Sequence, residues 1–442
     1  MSFTSVTYFL FVGISLLIYT IVPKRAKWCV LLGASAVYYV MAAGLRTLWL
    51  VAAILIVYRG GLLLGHLNDQ GKARRKAAAD KEEKKQIRKK YDAKKRAVVT
   101  VAVLGVFGLL IALKYVNFLG ESAYGIAGLF GSQSAYQPVQ ILLPLGISYY
   151  TLCAVSYVVD VYRGKYKPER NFFKLALFLS FFPQMTEGPI GKYEIMMPRL
   201  VEGHSFDFER DAQAVMRIFW GMFKKMVIAD RANLFVTGVF DNGDQAGSMV
   251  LLGTLLYTVQ IYCEFSGCMD IVCATGQLFG VEMQENFRRP IFSKTINEFW
   301  QRWHITLGAW IKEYVFFSVS LSKGLMNLSK HTRKKFNDYF ANLVPMTFAL
   351  FCVWFFNGIW HGASWKYVLY GLYYYILMMI GMYLRPVSDK LLHALHIAPE
   401  SKGFALFQMV RTFLIVNVGM MLFRCHTISQ WGQSLARIFT DF

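Results

Sequence analysis

The feature that most narrows what this chain can fold into is a recurring apolar stretch about as long as a bilayer is thick. A transmembrane helix takes about 20 mainly apolar residues. Such stretches lie near 5–22, 28–44, 46–65, 98–115, 140–159, 247–263, 342–360, 364–384 and 405–423. Shorter or mixed segments near 172–184, 214–229, 268–281 and 296–320 are ambiguous. The 442 residues are 55 % hydrophobic and only 17 % charged, which leaves too few charges to clothe a soluble globule of this size. Backbone polar groups must be satisfied internally where lipid replaces water, so long apolar spans are helices. The expectation is an all-α polytopic membrane protein, a bundle of roughly nine to twelve transmembrane and re-entrant helices. The first stretch has no basic lead-in and no small-residue cleavage motif, and more spans follow at once, so it reads as the first membrane helix and not as a signal peptide.

Charge sets the orientation. The formal net charge is +21, which in another setting would suggest nucleic acid, but its distribution points to a membrane. Residues 66–97 hold Lys72, Arg74, Arg75, Lys76, Lys81, Lys84, Lys85, Arg88, Lys89, Lys90, Lys94, Lys95 and Arg96 against Asp69, Asp80, Glu82, Glu83 and Asp92. Short basic loops stay on the cytoplasmic side. With three spans before this one, the amino terminus lies outside and the loop at 23–27, with Lys24, Arg25 and Lys27, lies inside. The next loops agree: 116–139, expected outside, has Glu121 as its one charge, and 160–171, expected inside, carries Arg163, Lys165, Lys167 and Arg170. No internal repeat or low-complexity linker interrupts the chain, so it reads as a single membrane domain over 1–442 with a basic cytoplasmic insertion at 66–97. That insertion is rich in helix formers without proline, which predicts an exposed helix or helical hairpin. It is either a solvated positive loop or a dock for anionic headgroups or an acidic carrier protein.

Chemistry concentrates around two histidines. His304, in FWQRWHITLGAW, is flanked by Trp300, Trp303 and Trp310, and His361, in WFFNGIWHGASW, by Trp354, Trp360 and Trp365. These six tryptophans are most of the ten in the chain; an interfacial aromatic belt would also gather them. Thr295-Ile-Asn-Glu298 fits a capping box, so a helix begins near Ile296, with Ile296, Trp300, Trp303, Leu307 and Trp310 forming one apolar face. His304 and Arg302 fall towards its flanks, Glu298 and Arg302 are spaced to pair, and Asn297, Glu298 and Arg302 are candidates to line or support a pocket of mixed chemistry. Ionisable groups within apolar runs imply partners or function, and the run YTVQIYCEFSGCMD holds Glu264, Ser266 and Asp270. Asp270 could orient an imidazole and Ser266 could serve as a nucleophile, although no G-x-S-x-G elbow is present. The seven cysteines lie mostly in apolar segments, and those at 263, 268 and 273 are spread around a helix, so neither a metal site nor a disulfide framework is expected. Two histidines within aromatic walls suit acyl transfer: imidazole is a base of the right strength, and a dry surround protects a thioester from hydrolysis. Asn357, Trp360 and the backbone amides near Gly358 and Gly362 are candidate donors to the developing oxyanion.

Five blocks, LPLGISYYTLCAVSYVVDVYRG (144–164), FFPQMTEGPIGKY (181–193), QIYCEFSGCMDI (260–271), ENFRRPIFSKTINEFWQRWHITLGAWIKEY (285–314) and NGIWHGASW (357–365), closely resemble the membrane-bound O-acyltransferase family. The resemblance is closest to its bacterial branch, which includes the alginate O-acetylation membrane subunit and the D-alanyl transfer protein of teichoic acids. It implies helices bundled around a transmembrane tunnel, with His361 the essential histidine and His304 a second histidine within the tunnel. It further implies an acyl donor that is a cytoplasmic thioester on coenzyme A or a carrier protein, with no bound cofactor. The acceptor would be an exported polysaccharide or teichoic acid, reached through an extracytoplasmic acyltransferase partner, and the location the bacterial cytoplasmic membrane. The amino-terminal forty residues look more like the alginate-type acetylases. Departures are Glu187 in TEGPI, an IKEYVFFSVS that lacks the family's arginine-aspartate pair and glycine-rich ending, and the long insertion at 66–97. Two other readings fit the same residues: a transporter or flippase of lipid-linked glycan using the histidines as proton relays, and a membrane scaffold recruiting a soluble enzyme through its basic insertion.

Overall fold

The computed structural model describes residues 2–131, 134–243 and 245–442, which are helical with no strand beyond an isolated bridge between Phe287 and Trp303. Among these residues five helical stretches are long and apolar enough to cross a membrane: Lys24–Ala77, Lys81–Leu129, Gly247–Leu278, Asp338–His361 and Lys402–Arg424. A sixth is reached if Trp365–Tyr383 and Arg385–Ala394, bent by 54°, count as one span. This is fewer than the nine apolar stretches of the sequence. The first forms Val6–Ile21, only 16 residues, and the stretch near 140–159 is helical only from Ile147, after Pro144 and a left-handed Gly146. The bend at 384–385 falls where Pro386 enters the new helix, a position proline tolerates and a continuing helix does not.

The chain forms two compact units, Met1–Ile218 with Ile271–Gln284, and Phe219–Asp270 with Glu285–Phe442. Two of the three crossings between them lie inside helices, Phe208–Met222 and Gly247–Leu278, which is why no linker composition marks them in the sequence.

In the first unit, Val6–Ile21 buries Tyr8, Val12, Ser15 and Tyr19 at helical spacing and exposes Val6, Leu10, Ile14, Leu17 and Ile21 on the other side. A helix with a polar-tipped inner face and an aliphatic outer face is built for lipid. The inner tyrosines find partners: Tyr8 Oη donates to Thr275 Oγ1 at 3.2 Å and Tyr19 Oη to the Phe279 carbonyl at 3.1 Å. The basic segment 66–97 is a helical hairpin, the continuation of two long helices, Thr47–Ala77 and Lys81–Leu110, whose turn is 78–80. Small residues let them approach: a Cβ on Gly60 would stand 3.1 Å from Ala102, and one on Gly71 would stand 3.2 Å from the Tyr91 ring. Asp80 caps the second helix by accepting from Glu83 N–H, and Glu83 reaches back to Ala79 N–H, a capping box that fixes the turn.

The second unit carries both tryptophan-framed histidines. Its core joins Phe299, Trp303, Trp354, Tyr370, Tyr374, Val416 and Met420. Two helices cross closely, since a Cβ on Gly358 would overlap the Tyr367 carbonyl and one on Gly371 would overlap that of Trp354. Such small-residue crossings replace the hydrophobic effect as the driving force inside lipid.

Candidate active site

The capping box read from the sequence is present: Thr295 Oγ1 accepts from Glu298 N–H at 3.1 Å, and the Glu298 carboxylate accepts from Lys294 N–H. The helix it starts does not continue as the apolar periodicity predicts. It ends at Arg302, and a second helix begins after His304 with Ile305–Ile311 and continues through a π-helical segment to Ser320. The break is stitched to the extended segment before it: Arg288 N–H donates to the Arg302 carbonyl at 2.9 Å and Ile305 N–H to the Asn286 carbonyl at 3.0 Å. These bonds satisfy groups that an unbroken helix would have paired internally. His304 itself is left-handed, φ 49° and ψ 50°, a conformation costing a non-glycine residue roughly 1–3 kcal/mol and typical of functional positions. Periodicity missed the break because it is imposed by residues 286–288, outside the helix.

His304 is buried, 7 % exposed. Its ring stands edge-on to Phe265 at 4.9 Å and 5.8 Å from Trp360. His361 closes the helix Asp338–His361; it lies 5.1 Å from the same Trp360 ring and edge-on to Tyr370 and Phe423. One indole is therefore flanked by two imidazoles that are far apart in sequence. Burial, and secondarily the charge of His361, push the His304 imidazole well below the usual histidine range, so the ring is neutral.

Asn286, which the sequence reading did not single out, sits beneath His304. It is 1 % exposed; its Oδ1 accepts from Thr306 N–H at 3.0 Å, bonds Thr306 Oγ1 at 3.0 Å and meets His304 Nδ1 at 3.3 Å. An asparagine acting from an extended segment leaves no periodic signal; its only mark is that it opens the polar run N-F-R-R.

The other expected site residues fall into separate places. Trp303 is buried against Phe287, Phe299 and Tyr262 as part of the wall. Glu298 and Arg302 pair at 2.5 Å on the helix flank, and Asn297 is exposed. Asn357, one turn before His361, is buried with Oδ1 unpartnered among the described residues. Gly358 serves the helix crossing, and its amide belongs to the helix ladder. Ser266 and Asp270 are together, but around a cation: Lys224 Nζ donates to Ser266 Oγ at 3.0 Å and lies 2.5 Å from Asp270. The carboxylate and hydroxyl imagined around an imidazole instead neutralise a buried ammonium, as a charge in an apolar setting requires. Lys225 next to it pairs with Asp230 and Glu264.

A neutral, anchored imidazole beside a second one, in aromatic surroundings, can accept a proton and orient a polar reactant out of water's reach. A profile of the membrane-bound O-acyltransferase family matches residues 169–332. The chain is 30 % identical over 438 residues to a probable alginate O-acetylase of Azotobacter vinelandii, an alignment covering 99 % of this chain and 77 % of that protein. It is 28 % identical over 316 residues to a peptidoglycan O-acetyltransferase of Helicobacter pylori, covering 65 % of this chain and 56 % of that protein. It is 26 % identical over 305 residues to a teichoic acid D-alanyltransferase of Bacillus subtilis, covering 66 % of this chain and 71 % of that protein. Matched by the profile across its central third and by the Azotobacter protein over nearly its full length, this integral membrane chain belongs to the membrane-bound O-acyltransferase family.

Proposed function

We propose that the protein takes an acetyl group from a cytoplasmic thioester and passes it across the cytoplasmic membrane for O-acylation of an exported cell-surface polysaccharide. The observation that carries this reading is the pair of imidazoles that both meet the Trp360 ring. The names of the relatives support the acyl chemistry and the class of acceptor, and the nearly complete alignment with an alginate O-acetylase favours acetyl over D-alanyl. Coenzyme A or a carrier protein supplies the thioester, and an external partner completes delivery to the polymer.

In this reading His361 is the base. Its imidazole takes the proton of the acceptor hydroxyl as the oxygen attacks the thioester carbonyl; the C–S bond then breaks, and the departing thiolate receives that proton, so imidazole is regenerated. His304, neutral and anchored, positions the thioester donor, its free ring nitrogen accepting from an N–H or O–H of that substrate. The aromatic wall excludes water, which would otherwise compete as acceptor.

The test uses purified, folded protein with labelled acetyl-CoA. Acyl transfer or slow thioester hydrolysis is expected from the native chain, with a loss of at least about a hundredfold in His361→Ala, the lower range for a general base. Full retention by a folded His361→Ala protein would reject the assignment. Absence of any thioester chemistry in the native chain, alongside movement of lipid-linked glycan, would favour a flippase with the histidines as proton relays.

A further inference from the structure

We infer that Asn286 is a positioning residue that fixes the tautomer of His304, holding the proton on Nδ1 and leaving the Nε2 lone pair as the working end of the ring. Donors and acceptors fix the assignment. Thr306 backbone N–H can only donate, and it points to the Asn286 amide at 3.0 Å; the atom it meets is therefore the amide oxygen. The other end of the amide, Nδ2, falls 3.3 Å from the Met269 sulfur, a weak acceptor that suits a donor. An amide oxygen only accepts. His304 Nδ1, 3.3 Å from that oxygen, must then carry the hydrogen, and a neutral imidazole protonated at Nδ1 has its lone pair on Nε2.

The arrangement does more than close a turn. The carbonyl of Asn286 takes Ile305 N–H while its side chain takes Thr306 N–H, so the same residue holds both the left-handed backbone of His304 and the ring that backbone presents. Among the described residues the groups set against the ring are Phe265 from Gly247–Leu278, Asn286 from the extended segment, and Trp360 and His361 from Asp338–His361. Of these His361 is the one ionisable group. With no carboxylate among them, a protonated His304 would have no counter-charge, and the neutral Nε2 acceptor persists.

The tautomer does not depend on the reaction; its consequence for rate rests on the acyl-transfer reading above. Full-length protein with ¹⁵N-labelled histidine gives both readouts, the His304 signals being those lost in His304→Gln. The native ring is expected to show protonated Nδ1 and bare Nε2 from about pH 5 to 8. Asn286→Asp keeps an acceptor for all three donors while adding a negative charge, so it should keep the fold and make the ring doubly protonated at neutral pH. Transfer from labelled acetyl-CoA should then fall about tenfold or more near pH 7 and recover as pH rises. Thr306→Val removes a hydroxyl from the same oxygen without touching the imidazole, and should lower stability while leaving the nitrogen spectrum unchanged. A native ring protonated at Nε2 would overturn the proposal. So would an Asn286→Asp protein that loses stability like Thr306→Val with its spectrum and pH profile unaltered. The predicted spectrum with no acyl transfer would leave the tautomer standing and remove the function.

Discussion

At position 304 the backbone restricts the chemistry before the side chain acts. A left-handed residue tolerates asparagine, aspartate or histidine and penalises β-branched side chains, so His304→Asn is the conservative probe of this position. The neutral state of the ring also gives a pH signature. His304 has a lowered pKa in the folded protein, so the unfolded chain binds the extra proton first; its contribution to stability is complete above about pH 6.5 and is lost as pH falls below that value. Native protein in detergent should therefore lose thermal stability on acidification more steeply than His304→Asn, and the difference between the two curves should become independent of pH above about pH 7. Parallel curves throughout would mean that the ring protonates without penalty. The two histidines and their tryptophans were legible because ionisable residues are scarce in apolar sequence. Asn286 was not, because its role is defined by a hydrogen-bond partner far from any repeating pattern.

The elements around the site divide into those that place it and those that hold the bundle together. Gly358 is one turn from His361 and touches the Gly371 backbone of the next helix. Gly358→Ala should push these helices apart, costing about 1–3 kcal/mol as an overpacking change and lowering acyl transfer with little change in protein level; thermal unfolding and transfer assays would report the two effects separately. Lys224 and Asp270 pair within helical segments, with side chains only 11 % and 16 % exposed. Removing one partner, as in Lys224→Met, should cost about 3–5 kcal/mol, and Lys224→Met with Asp270→Leu should recover much of it; a double variant no better than the single would show that the pair contributes beyond charge balance. Most spans, the Thr295–Glu298 capping box and the Glu298–Arg302 pair could be read from local spacing. The break at His304 could not, since its cause is an antiparallel contact with residues 286–288, and the Ser266 and Asp270 partner could not, since Lys224 lies 42 residues from Ser266 in the chain.

Across the whole molecule, the basic segment is best understood as part of two spans. Because Thr47–Ala77 and Lys81–Leu110 run unbroken from apolar to basic sequence, the side on which the turn lies fixes the direction of both. In the proposed orientation a cysteine placed at exposed Ala79, in a chain with its native cysteines replaced, should react with an impermeant thiol reagent only from the cytoplasmic side. Labelling from outside would invert the orientation. The broken helix has a different consequence, for how the protein is made. Its first piece, Ile296–Arg302, has seven residues, and its second runs from Ile305 through a π-helical segment to Ser320; both fall short of the roughly 20 residues that cross a bilayer, so neither can be threaded into it alone. The turn at His304 leaves the ribosome before Asp338–His361, the helix that supplies Trp360. Until that helix emerges, a strained, half-covered histidine loop has no settled home, and a chain stalled there should be a preferred substrate for membrane quality-control proteases.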